Sequence, residues 1–216
     1  MPRSPLRRRA GWPVEMQQGA ERAIVCAVRP HGEVGAIVRC LTQEYGLLAG
    51  YVQGARSRTL RPVLIPGNIV SGEWRARTSG QLASLSVELQ HSRAHLLGEP
   101  LATAAIEWAC ALTASTLPEA YAYPQLFLAL DGLLSAVELA PAARGWAVAM
   151  ARYETLLLAE LGYGTRDAFE GEGTGAALKA MAGNREALIR HVLGEKRADV
   201  LAARERLVDR LKRAVA

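Results

Sequence analysis

The sequence predicts an α+β protein: an amino-terminal five-stranded β-barrel followed by an all-α helical domain. Three observations carry that expectation. Residues 21–92 hold five short runs with strand patterning, separated by turn residues. Beyond His91 the apolar period lengthens to that of a helix. The 216 residues are 50% hydrophobic and 22% charged, which is a globular composition with enough chain to bury a core.

Residues 1–20 come first and read as a disordered basic arm, with Arg3, Arg7, Arg8 and Arg9 beside Pro2 and Pro5. No apolar segment follows the arginines, so the arm is not a secretory signal. Met16 stands just before the first patterned run and offers an alternative start of translation.

The barrel is assigned to residues 21–92. Ala23-Ile24-Val25-Cys26-Ala27-Val28 forms the first run, and Pro30-His31-Gly32 breaks it. Residues 36–42 form the second, Glu44-Tyr45-Gly46 turns the chain, and residues 47–52 form the third. Residues 54–67 hold Arg56, Arg58, Arg61, Pro62 and Pro66 and read as a basic loop with one helical turn. In the fourth run Val70, Gly72, Trp74 and Ala76 alternate with Ser71, Glu73, Arg75 and Arg77. Ser79-Gly80 marks a hairpin. In the fifth run Ala83, Leu85, Val87 and Leu89 are expected to face inward, opposite Ser84, Ser86, Glu88 and Gln90. The break between the third and fourth runs falls where an OB-type barrel has its connecting element. An SH3-like barrel produces much the same pattern, and periodicity does not order the strands.

Residues 93–216 are assigned to the helical domain, with four to six helices. Pro100 opens one with Leu101, Ala104, Ala105, Trp108 and Leu112 on a face; Pro124 opens another with Leu126, Leu130, Leu133, Leu134 and Val137. A third, over residues 142–161, carries Trp146, Met150, Tyr153 and Leu157 and stops at Gly162. Glu154 and Glu160 read as its surface. Residues 164–175 are Gly- and acid-rich and read as a loop, and Asn184 is expected to cap a short helix ending at Leu193. The last helix, over residues 197–214, shows Val200, Leu207, Val208 and Leu211. Its Arg206, Arg210, Lys212 and Arg213 read as a solvated face that complements the helix dipole.

The net charge of +5 is uneven. Residues 1–15 and 16–92 each carry +3, and residues 93–216 carry −1, so a polyanion would meet the first half. Cys26, Cys40 and Cys110 are odd in number and far apart, which argues against a disulfide scaffold or structural zinc and for a reducing compartment; Cys26 and Cys40 read as core. There is no run of 18 apolar residues, no phosphate-loop or nucleophile-elbow motif, and no acidic cluster for metal-assisted cleavage. His91 and His95 are spaced i, i+4 without a third ligand. No metal, no cofactor and no enzymatic activity are therefore expected.

The positive constellation is Arg56, Arg58 and Arg61 on one loop, with Arg75 and Arg77 on one strand face. Guanidinium forks suit phosphate because each donates two hydrogen bonds to one group. These five are the candidate DNA-binding residues. Tyr45 and Tyr51 are the barrel's plausible base-stacking aromatics or else core, and Trp74 reads as core.

Several short motifs resemble one known family. Ala27-Val28-Arg29-Pro30-His31-Gly32-Glu33, Thr42-Gln43-Glu44-Tyr45-Gly46, Gly54-Ala55-Arg56-Ser57 and Leu64-Ile65-Pro66-Gly67-Asn68 occur in the order found in the amino-terminal domain of RecO recombination mediators. Arg152-Tyr153-Glu154, Leu156-Leu157-Leu158 and Glu160-Leu161-Gly162-Tyr163 are similar to that family's long central helix. The resemblance implies binding of single- and double-stranded DNA, annealing of complementary strands, and RecA loading with RecR. It also implies contact with the carboxyl-terminal tail of the single-stranded-DNA-binding protein, for which Arg144 and Arg152 are the candidate residues. Many members insert a four-cysteine zinc module after the stretch matching residues 160–163. Residues 164–183 here contain no cysteine, so that module is expected to be absent. The expected function is a cytoplasmic, nucleoid-associated DNA repair and recombination mediator; the alternative is a protein–protein adaptor whose barrel binds a partner and not DNA.

Overall fold

The structure is a computed structural model that describes residues 20–75, 81–140, 142–164, 169–194 and 197–215. The basic arm expected over residues 1–20, save Ala20, lies outside the described residues, as do Ala76, Arg77 and the Ser79-Gly80 hairpin.

Five strands, β1 (Glu21–His31), β2 (Gly35–Thr42), β3 (Gly46–Val52), β4 (Ile69–Arg75) and β5 (Ala83–His91), close into a barrel in the order β1-β2-β3-β5-β4. That order is the OB arrangement and decides against the SH3-like alternative. β1 serves two partners: Glu21 to Ile24 pair with β4, and Ala23 to His31 with β2. The register slips between Val25 and Ala27, a bulge that bends the strand from one wall into the next. Closure comes from a short parallel ladder, Gly50 opposite Ala83 and Tyr51 opposite Ser84.

The alternation of each strand separates two cores. Ala23, Val25, Val38, Cys40, Leu48, Val70, Trp74, Ala83 and Leu85 fill the barrel, with Ala55 and Leu64 from the loop closing one end. Ile24, Cys26, Leu41 and Leu47 point outward and join the core of the helical domain. Leu89 departs from the expected pattern and is exposed. The β3–β5 ladder covers only Ala83 and Ser84, and the β4–β5 register slips beside Leu89, so alternation no longer points into the barrel there.

The helices are α1 (Pro100–Thr116), α2 (Pro124–Leu139), α3 (Ala147–Glu160), α4 (Gly173–Ala187) and α5 (Ala198–Val215). Pro100 and Pro124 open α1 and α2, where a missing N–H costs nothing. α3 ends as expected at Gly162, φ +85°, with Tyr163 N donating to Leu158 O at 2.8 Å. Three expectations fail here. α4 begins at Gly173, within the stretch read as a loop, and Asn184 lies inside it and caps nothing. Burial of Thr174, Ala177 and Met181 supports this helix against its weak local propensity. Glu154 is not surface but fully buried, paired with Arg204 of α5. All three cysteines are buried and free. No described helix is long and apolar enough to cross a membrane.

Candidate nucleic-acid interface

The arginines of the barrel and of the junction just after it divide into those used for docking the two domains and those facing outward. Arg22 grips Asp131 of α2 through Nη2 at 2.9 and 3.0 Å and lies over the Phe127 ring. Arg39 donates to Ala114 O at the end of α1 and to Glu119 at 2.9 Å. Arg93, buried just after β5, donates to Gly67 O at 2.5 Å and lies 3.1 Å from Glu138 of α2. Nothing in local sequence marks these three as different from the others.

The loop over residues 54–67 is well tied. Arg61 N donates to Ser57 O and Leu64 N to Leu60 O, both at 3.0 Å, so the loop is a series of separate hydrogen-bonded turns rather than the one helical turn expected from sequence. The buried Asn68 amide donates to Pro62 O at 3.0 Å and Val63 O at 3.1 Å, while its Oδ1 accepts from Arg93 N at 2.9 Å. Asn68 thus fixes the loop to the domain junction. Arg56, Arg58 and Arg61 are all exposed on this rigid support. Arg56 Nη1 donates to Glu33 O at 3.1 Å, which joins the loop to the β1–β2 turn. None of the three forms an ion pair among the described residues, so their charge is available to an outside anion. Arg56 and Arg61 also line a cavity of about 400 Å³, walled by Val28, Pro30, Ala36 and Leu64.

Arg75 is exposed on β4 and paired with Glu73 at 2.8 Å, both side chains being largely in solvent. Such a pair is worth about 1 kcal/mol at most, and a phosphate can compete with it. Arg77 lies outside the described residues. Sequence reading missed Arg29, which is exposed at the β1 end beside this loop and forms no ion pair among the described residues. The unbroken apolar run before it gave no alternation to read, and only the β1–β2 register places it outward. Trp74 is core, as expected.

Arg144 and Arg152 are exposed on the helical domain, the first in a short 3-10 turn (Ala143–Gly145) and the second on α3, where its Nε donates to Phe169 O at 3.2 Å. Among the described residues they share no partner with each other or with the barrel loop. His91 and His95 both face Glu138, at 2.8 and 3.8 Å, but Arg93 faces the same carboxylate, so the cluster is built around the Arg93–Glu138 ion pair. Among the described residues no group of three His, Cys, Asp or Glu is placed to hold a metal ion. Arg206 of α5 lies 3.5 Å from Glu107, both exposed.

Residues 16–93 match the family model for the recombination protein O N terminal domain, and residues 97–210 match that for the recombination protein O C terminal domain. Among curated proteins, the chain is 41% identical over 145 residues to the DNA repair protein RecO of Gluconacetobacter diazotrophicus, a match covering 66% of this chain and 57% of that protein. It is 43% identical over 143 residues to the RecO of Rhodospirillum centenum, covering 66% and 56%. It is 42% identical over 154 residues to the RecO of Rhodospirillum rubrum, covering 69% and 60%. The chain thus spans less than two thirds of the length of these relatives.

Proposed function

This chain belongs to the recombination protein O family, and from that premise we propose that it is a non-enzymatic DNA repair and recombination mediator that binds DNA through its barrel. The observation that carries the reading is the rigid loop presenting Arg56, Arg58 and Arg61 without acidic partners among the described residues. Arg29 and Arg75 extend the positive surface on the same barrel. Guanidinium groups on a fixed support neutralise backbone phosphates and reduce the repulsion between two complementary strands, which is the physical requirement of annealing. The role carries no bond chemistry and needs no metal or cofactor. The helical domain would recruit RecR and the acidic carboxyl-terminal tail of the single-stranded-DNA-binding protein, with Arg144 and Arg152 as exposed cations for that tail. Through those contacts the protein would assist RecA loading at the cytoplasmic nucleoid.

Fluorescence anisotropy of a labelled oligonucleotide across a salt series tests the proposal. Each phosphate contact on a single strand contributes about −0.7 to the slope of log K against log salt. Replacing Arg56, Arg58 and Arg61 with Ala should therefore weaken binding and flatten the slope by about 2. An unchanged affinity and slope in the triple variant would remove the loop from the interface. A wild-type chain that binds no DNA at any salt would favour the protein–protein adaptor.

A further inference from the structure

We propose that the outer face of the barrel carries a site for one unpaired nucleobase, which stacks on Tyr51 while Arg29 and Arg75 hold the phosphates on either side. The inference rests on the DNA-binding reading above and deepens it by naming the residue that distinguishes a single strand from a duplex.

The site is made by strand register. Arg29 pairs with Ile37, Ile37 with Tyr51, Tyr51 with Ser84, and Ser84 with Arg75. Residues paired across a ladder share a face of the sheet. These five therefore form one row across β1, β2, β3, β5 and β4, with an arginine at each end and a tyrosine in the middle. Four strand spacings of about 4.8 Å separate the two arginines, so the row is about 19 Å long around the barrel. The neighbouring outward residues Ile24, Cys26, Leu41 and Leu47 are covered by the helical domain. The row lies beyond that cover: Arg29, Arg75 and Ser84 are exposed and Tyr51 and Ile37 half-buried.

Tyr51 is held in place for stacking. Its ring lies across Gly35, where a Cβ would collide with the Oη, Cζ and Cε2 edge. The backbone of Gly35 is buried beneath it. The His31 ring stands 6.1 Å away between centroids at 80°. A tyrosine seated on backbone has few rotamers left to lose, so a base can stack on it at low entropic cost. Base–aromatic contacts of this kind are sequence-tolerant because every base has a π-face. In a duplex the bases stay stacked on one another and only phosphates are offered, so Tyr51 contributes to single-strand binding alone while the arginines serve both.

Anisotropy with one labelled single strand and its duplex, at several salt concentrations, tests this on the full chain. Tyr51→Leu keeps a cover over Gly35 without a π-face, and Tyr51→Phe keeps the ring. Tyr51→Leu should weaken single-strand binding about 5- to 150-fold, leave duplex binding unchanged, and leave the salt slope unchanged because no phosphate contact is lost. Tyr51→Phe should bind like the wild type. Equal single-strand affinity of Tyr51→Leu and wild type would overturn the proposal and leave the arginine reading standing. So would a parallel loss of single-strand and duplex binding. Failure of the wild type to bind either DNA would overturn both.

Discussion

Replacing Arg204 with Met should remove a large share of the helical domain's stability. Arg204 is 2% exposed and Glu154 is 0% exposed. Arg204 Nε and Nη2 each donate to the Glu154 carboxylate at 3.0 Å, Nη2 also donates to Met181 O, and the guanidinium lies 5.7 Å from the Trp108 ring centroid. Without it, Glu154 retains two neutral donors: Trp108 Nε1 at 2.9 Å and Asn184 Nδ2 at 3.3 Å. Burial already pushes the Glu154 carboxyl above the ordinary carboxylate range, against the pull of Arg204, Asn184 and Trp108. Breaking a buried pair from one side costs about 3–5 kcal/mol, because the other charge stays behind. Urea unfolding followed by tryptophan fluorescence near neutral pH should show that loss. An acid whose folded pKa exceeds its unfolded value binds its proton more tightly when folded, so stability rises as pH falls through the folded pKa. Losing Arg204 raises that pKa further, so the deficit of Arg204→Met should narrow on acidification. The double variant Glu154→Leu, Arg204→Met should recover to within about 1 kcal/mol of the wild type or exceed it. A single-variant loss below about 1 kcal/mol that is flat in pH would refute the account of a charged carboxylate that depends on this guanidinium.

Two further outcomes follow from local geometry. Gly46 has φ +74° and a Cβ there would run into the Tyr121 carbonyl, whereas Gly32 has φ +66° in open space. Gly46→Ala should cost about 3 kcal/mol in chemical denaturation and Gly32→Ala only about 1 kcal/mol, and equal costs would show that the contact with Tyr121 is unimportant. Burial pushes the Cys40 thiol up to about 12. It should therefore resist a thiol reagent at mildly alkaline pH in the native state and react only on unfolding; prompt native-state labelling of Cys40 in a Cys26→Ser, Cys110→Ser background would contradict its placement.

The sequence by itself determined what depends on a few neighbouring residues. Five strand-like runs, the change of period after His91, the proline-opened α1 and α2, the Gly162 stop and the irregular basic loop between the third and fourth runs were all legible there. So was the cluster of Arg56, Arg58 and Arg61, because three arginines within six residues share one loop whatever surrounds it. Tertiary structure decided the rest. The β3–β5 closure that distinguishes an OB barrel is a parallel pairing between distant strands, and the Arg29–Tyr51–Arg75 row exists only through that register. Arg22, Arg39 and Arg93 resemble the outward-facing arginines in sequence and are consumed by domain docking. Glu154 and Arg204 meet across 50 residues, and α4 starts inside the stretch over residues 164–175 that local composition reads as a loop. Backbone geometry imposes side-chain period over one or two turns of chain. The partner of a charge is chosen by which surfaces come to lie together, and that choice belongs to the whole fold.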